Sequence, residues 1–187
     1  MKTYFIRGKS IALRPLRAED LDGQYCDWLN DPEVCTGNNH QRYVYDQEQA
    51  EKFIVSANAD RSQLVLAIED LETAKHLGNI ALQAIDLINR SAEISFLLGE
   101  KTYWGKGIGK EAGRLLIAHG FSHLNLHRIG CGTPTLNEGM IRLAGALGMK
   151  EEGRHRDAFY KHGEYFDILR FGILREEFNS LPEAGKH

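Results

Sequence analysis

The chain is poor in the features that mark secreted, membrane-spanning or nucleic-acid-binding proteins. Its cysteines, Cys26, Cys35 and Cys131, are odd in number and form no Cys-x-x-Cys pair, so they read as reduced thiols rather than a disulfide framework or a metal-binding set. No stretch approaches the roughly 20 apolar residues needed to cross a bilayer. The N-terminus lacks the apolar run of a signal peptide, so a cytoplasmic location is expected. Charge of neither sign dominates: 23 Lys and Arg stand against 26 Asp and Glu, a net charge of -3. The basic residues are scattered, which argues against a nucleic-acid partner. At 187 residues the chain is long enough to bury about 70% of its unfolded surface in one domain, without a disulfide or metal staple.

Glycine, by contrast, is placed with purpose. In Tyr103-Trp104-Gly105-Lys106-Gly107-Ile108-Gly109-Lys110-Glu111-Ala112, three alternating glycines follow a strand-like apolar run and open into a helical pattern. Such a turn lets the backbone approach an anion, and the free N–H groups of the helix's first turn favour negative charge there. A diphosphate seat is expected; the alternative is a strand-to-helix turn that binds nothing. Spacing excludes two familiar versions. The dinucleotide fingerprint needs glycine where Lys110 stands, and the P-loop needs glycine at Trp104 and a hydroxyl residue at Glu111.

Periodicity supplies the surroundings. Ser10 to Leu16 alternates as a strand, and Ala18 to Leu29 reads as a helix closed by Asn30-Asp31-Pro32. A second helix is expected from Asp46 to about Ala57, with Asp46 and Gln49 at capping-box spacing. Gln63 to Glu69, Gly78 to Asp86 and Ala92 to Leu98 form an expected antiparallel meander. Glu111 to His123 is a helix, Arg128 to Gly132 a short strand, and Asn137 to Leu147 a helix with Gly148 as left-handed terminator. Arg154 to Tyr160 and Tyr165 to Leu174 pair as a hairpin around His162-Gly163. The result is a mixed α/β sheet covered by helices, one domain over residues 1–178, with 179–187 a frayed tail.

That order resembles the GNAT superfamily of acetyl-CoA-dependent N-acetyltransferases, and most nearly its branch of ribosomal-protein alanine and spermidine acetyltransferases. The segments that carry the resemblance are Ile11 to Leu16, Leu29 to Val34, Ala92-Glu93-Ile94, Tyr103 to Ala112, and Asn137 with Leu147 to Gly153. The resemblance implies an α/β (α+β) fold: a mixed, mostly antiparallel sheet of about six to seven strands flanked by four helices. It implies acetyl-CoA as co-substrate and a primary amine as acceptor: a protein N-terminus, an amino sugar or a small amine. A catalytically silent acyl-CoA-binding module on the same fold is the alternative. Either could be a monomer or a homodimer.

By the same resemblance, the phosphate-loop pattern falls on Trp104, Gly107 and Gly109, with Trp104 standing where the family has Gln or Arg. Gly105, Lys106, Ile108 and Lys110 complete the loop. Phe96, Leu97 and Leu98 would lend backbone groups to the pantetheine arm, and Asn137 an amide, although Asn137 also suits a helix N-cap. Acetyl transfer to an amine also needs a proton acceptor and a group to protonate the leaving thiolate. Glu93 is the preferred base, with Ser95 on the same face; the alternative is a carboxylate that orders the sheet, paired for example with Arg128. Asp86, Asp157, Asp167, His127 and His155 are weaker candidates. Where relatives carry a tyrosine acid seven residues after the asparagine, this chain has Ala144, leaving Tyr160, Tyr165, Cys131 or water. Trp28, Asn38 and Tyr43, with Asn39, His40 and Tyr45, form a polar-aromatic cluster suited to the acceptor. The scarcity of clustered acid there argues against a polyamine.

Overall fold

The computed structural model describes residues 4–182. Eight strands form one sheet: β1 (Ile6–Arg7), β2 (Ile11–Pro15), β3 (Leu64–Asp70), β4 (His76–Asp86), β5 (Ser91–Leu98), β6 (Arg128–Pro134), β7 (Lys150–Lys161) and β8 (Glu164–Leu174). Their spatial order is β1-β2-β3-β4-β5-β6-β8-β7. Every neighbouring pair is antiparallel except β5 and β6. The helices are α1 (Tyr25–Asn30), α2 (Gln47–Ala59), α3 (Ile108–Ser122), α4 (Glu138–Ala146) and α5 (Arg175–Asn179), with short 3₁₀ turns at Ala18–Asp22 and Lys101–Tyr103.

The central strands are apolar on both faces because both faces are covered. Leu66 and Ile68 of β3 join Ile11, Leu13, Ile80 and Ile94 beneath Leu115, Leu116 and Phe121 of α3 and Ala144 of α4. Val65 and Ala67 point the other way, with Ala81, onto Leu16, Tyr25, Trp28 and Leu29 and onto Ile54 and Ala57 of α2. The expected meander is present as β3-β4-β5. The expected turn is present too, with His162 and Gly163 both at positive φ, 55° and 86°, the backbone of a two-residue hairpin turn. Asp46 caps α2 by accepting the Gln49 N–H at 2.8 Å, and Gly148 follows α4 at φ 80°.

Three expectations are corrected. The sheet has eight strands because β1, two residues long, is too short to leave a periodic signature. The helix expected over Ala18 to Leu29 is split at Gly23. The Asp20 carboxylate turns inward, accepting from Arg14 Nη1 and Nη2 at 2.9 and 2.6 Å and from the Arg17 N–H at 2.9 Å, which tightens that turn into 3₁₀ form. Past α5, where fraying was expected, the Ser180 N–H still donates to Glu176, and Leu181 packs on the core and beside Gly148; residues 183–187 lie outside the described ones.

Candidate active site

The glycine turn is built by conformation rather than by crowding. Gly105 and Gly107 have φ of 73° and 85°, and a Cβ at either would meet nothing within 4 Å. Gly107 is the N-cap of α3 and, lacking a side chain, leaves the helix uncapped. The first intrahelical bond runs from the Glu111 N–H to the Gly107 carbonyl at 3.0 Å, so the N–H groups of Ile108, Gly109 and Lys110 precede it. Gly109 has a different job. Its Cβ position lies 3.3 Å from Leu143 Cδ2, so it lets α4 pack closely on α3. Lys106 lies with its ammonium 5.4 Å from the Tyr103 ring centroid, and Lys110 is exposed.

Trp104 has a structural partner. Its indole Nε1–H donates to the Leu98 carbonyl at 2.8 Å, which fastens the loop to the end of β5 and engages one of the backbone groups expected to face a pantetheine arm. Next to it the sheet splits. β5 and β6 pair only over Ser91 to Glu93 against Arg128 to Gly130; beyond that the strands part, leaving Phe96 and Leu97 on the margin of the gap. Ser95, Phe96 and Leu97 also line a pocket of about 270 Å³. The pocket lies on the α1/α2 face and is lined further by Tyr25, Asn38, His40, Tyr45, Asn79 and Gln83. Phe96 links the two features, since its ring sits 3.1 Å from the Cβ position of Gly113 on α3.

The other expected site residues divide. Asn38 lines the pocket; Trp28 and Tyr43 do not. Trp28 is core, with its indole 1.9 Å from where a Gly99 Cβ would sit and its ring 5.1 Å from that of His76. Tyr43 is exposed. Asn137 caps α4, its Oδ1 accepting from the Met140 N–H at 3.0 Å, while its amide nitrogen lies against Gly37. Tyr160 sits near the tip of the β7-β8 hairpin, half exposed, with its ring 4.9 Å from Tyr165, and the structure does not bring it to the pocket. Ala144 is fully buried in the core. Burial pushes the Cys131 thiol up to about 12, which makes it a poor proton donor.

Glu93 lies across from Gln83, just outside the pocket. Its Oε1 accepts from Arg170 Nη2 at 2.5 Å. The two meet over β6 because glycines clear the way: Cβ atoms at Gly130 and Gly132 would lie 3.1 Å from Glu93 Oε1 and 2.6 Å from Arg170 Nη1. The expected alternative partner, Arg128, binds Glu152 instead.

Tyr25, Asn79 and Gln83 were missed in the sequence, although Asn79 and Gln83, four apart on an apolar strand, share one face and signal a polar lining. Behind them runs a buried network. His76 Nε2 lies 2.9 Å from the Gly78 carbonyl and 3.0 Å from Asn79 Oδ1, Nδ1 lies 3.5 Å from Asp20 Oδ1, and Asn79 hydrogen-bonds the Tyr25 phenol. The loop that carries Asn38 and His40 is tied to the hairpin. Lys161 Nζ donates to the Cys35 carbonyl at 3.0 Å and Arg42 Nη2 to the Tyr160 carbonyl at 2.9 Å.

A sheet that parts beside an uncapped glycine turn is the frame of an acyl-CoA enzyme, and the comparisons agree. Residues 10–150 match the acetyltransferase (GNAT) domain. The chain is 33% identical over 175 residues to the N-acetyltransferase p20 of Bacillus licheniformis, covering 90% of this chain and 94% of that one. It is 25% identical over 183 residues to the spermidine N(1)-acetyltransferase of Escherichia coli K12, covering 90% and 88%. In fold it is similar to the spermidine N-acetyltransferase of Vibrio cholerae, with a TM-score of 0.82 at 23% identity over 91% of this chain and 98% of that one. The chain belongs to the GNAT acetyltransferase family, the enzymes that move an acetyl group from acetyl-CoA to an amine.

Proposed function

We propose that this chain, through one catalytic domain over residues 1–178, acetylates the primary amine of a compact acceptor that is not a polycation, such as a peptide N-terminus or an amino sugar. The pocket carries the reading: among the described residues no Asp or Glu lines it, whereas amide, hydroxyl and aromatic groups do, and a polyamine would bury its charges there without partners. The residues present fit acetyl-CoA. The N–H groups of Ile108, Gly109 and Lys110 would hold the diphosphate, aided by Lys106, and the backbone of Phe96 and Leu97 would face the pantetheine arm. When bound, acetyl-CoA supplies an activated thioester. Glu93, held by Arg170, braces the splayed strands at the rim of the pocket.

The test is thiol release from acetyl-CoA with glucosamine, an alanyl dipeptide and spermidine as acceptors. Turnover on either of the first two and none on spermidine is the expected pattern; efficient spermidine turnover overturns the acceptor assignment. Binding of CoA is checked apart from turnover, since a ligand at 100 times its dissociation constant adds about 2.7 kcal/mol of stability. CoA binding with no turnover on any amine favours the silent module.

A further inference from the structure

With Glu93 held by Arg170 and no carboxylate among the described residues that line the pocket, the reaction still needs a proton acceptor. We propose that the His40 imidazole takes the ammonium proton of the acceptor; this rests on the acetyltransferase reading given above. His40 lines the same pocket as Ser95 and Gln83. Its position is fixed: the His40 N–H donates to Asn38 Oδ1 at 2.9 Å, its ring stands edge-on to Tyr45 at 5.9 Å, and its loop is pinned to the hairpin through Lys161 and Arg42. The charged and titratable groups around it are the Lys161 ammonium from β7, the Tyr45 phenol before α2 and the Tyr25 phenol of α1. None is an anion at neutral pH. His40 is exposed to solvent on one side; partial desolvation beside the pocket, then the field of Lys161, lower its pKa below the ordinary value, so at pH 7 the ring is neutral and has a lone pair to offer. As His40 accepts the first proton, the freed amine lone pair forms the N–C bond, the C–S bond breaks, and the second proton on that nitrogen passes to water as the neutral amide forms. The sulfur leaves with the electron pair as thiolate, and His40 returns its proton to water.

The kcat/KM of the wild type on its best amine should fall on the acid side along a limb that coincides with the titration of His40 followed by NMR. His40→Gln should lower the rate by about 100-fold or more and remove that limb, while CoA still raises the melting temperature. A limb that does not follow the His40 titration overturns the assignment without any variant, and so does a His40→Gln enzyme with wild-type rate and pH profile. Absence of wild-type turnover on every amine overturns the acetyltransferase reading and the role of His40 with it.

Discussion

At the scale of single residues, the glycines of the turn are not equivalent. Gly107 needs its left-handed φ of 85°, and open space surrounds its missing Cβ. Gly107→Ala should therefore cost about 1–2 kcal/mol through backbone strain alone and weaken CoA binding. Gly109→Ala gains about 1 kcal/mol of helix propensity against a slight displacement of Leu143, and should be close to neutral. Urea unfolding of the two variants checks this, and equal losses would refute it. Glu93 offers a second contrast. As one half of a part-exposed ion pair, Glu93→Gln should cost about 1 kcal/mol or less and lower kcat less than tenfold, whereas loss of a general base costs about 100-fold or more. Glu93 was legible as a residue on the right strand, but Arg170 was not, because the two are separated by 77 positions and meet only where Gly130 and Gly132 leave β6 bare. Trp104 was read as a departure from the phosphate-loop pattern; its bond to Leu98 depends on how the 3₁₀ turn folds back, which no spacing encodes.

At the scale of elements, those with strong local signals were legible. The β3-β4-β5 meander, α2 with its Asp46 cap, and α4 with Gly148 behind it all follow from alternation, helical spacing and end residues. Elements shaped by distant partners were not. The first helix breaks because Asp20 is drawn to Arg14 on β2. The start of α3 is fixed by Glu111, whose Oε1 accepts the backbone N–H groups of Lys9 at 2.6 Å and Ser10 at 2.9 Å, residues more than 100 positions away. A Cβ at Gly8 would lie 2.4 Å from that same oxygen, so the β1-β2 turn is also shaped to receive it. Burial acts to raise the Glu111 pKa, but hydrogen bonds from Ser10, Lys9 and Ile11 outweigh it and lower the value. A carboxylate with a lowered pKa contributes stability above its unfolded value, near 4.3, that is lost as pH falls through the folded value. Glu111→Gln should cost about 1–2 kcal/mol at pH 7 and less near pH 3, where part of the carboxylate's contribution is already lost. Chemical denaturation at both pH values measures the difference, and an equal loss at both would show that the charge is not what matters.

At the scale of the whole molecule, the class of fold was legible but the strand order was not, because β8 enters between β6 and β7 and only tertiary packing decides that. The buried charge was equally hidden. Arg14, Asp20 and Glu69 are 4%, 7% and 1% exposed, with Arg14 Nε 2.6 Å from Glu69 Oε2 and His76 completing the cluster behind the Tyr25 wall of the pocket. Burial lowers the pKa of His76, and the nearby Asp20 only partly offsets it. Burial acts to raise the pKa of Asp20, yet the bonds from Arg14 and the charge of His76 bring it down. Both shifts have the same sign for stability. The unfolded chain binds a proton at each histidine from about pH 6.5 downwards while the folded chain resists it, so stability declines as pH falls from 6.5 to the folded pKa of His76. Below about pH 4, Asp20 adds its own loss. His40 and His119 are lowered by burial in the same direction, so several sites contribute to the first decline. The unfolding free energy should therefore drop between pH 7 and 5, and His76→Gln should flatten part of that slope while His76 alone is removed from the sum. Urea titrations at pH 7, 6 and 5 on both proteins measure the two slopes. A wild-type stability that stays level or rises towards pH 5 would mean that His76 is protonated in the fold, paired to Asp20 as an imidazolium, with both ring nitrogens donating to the acceptors that face them.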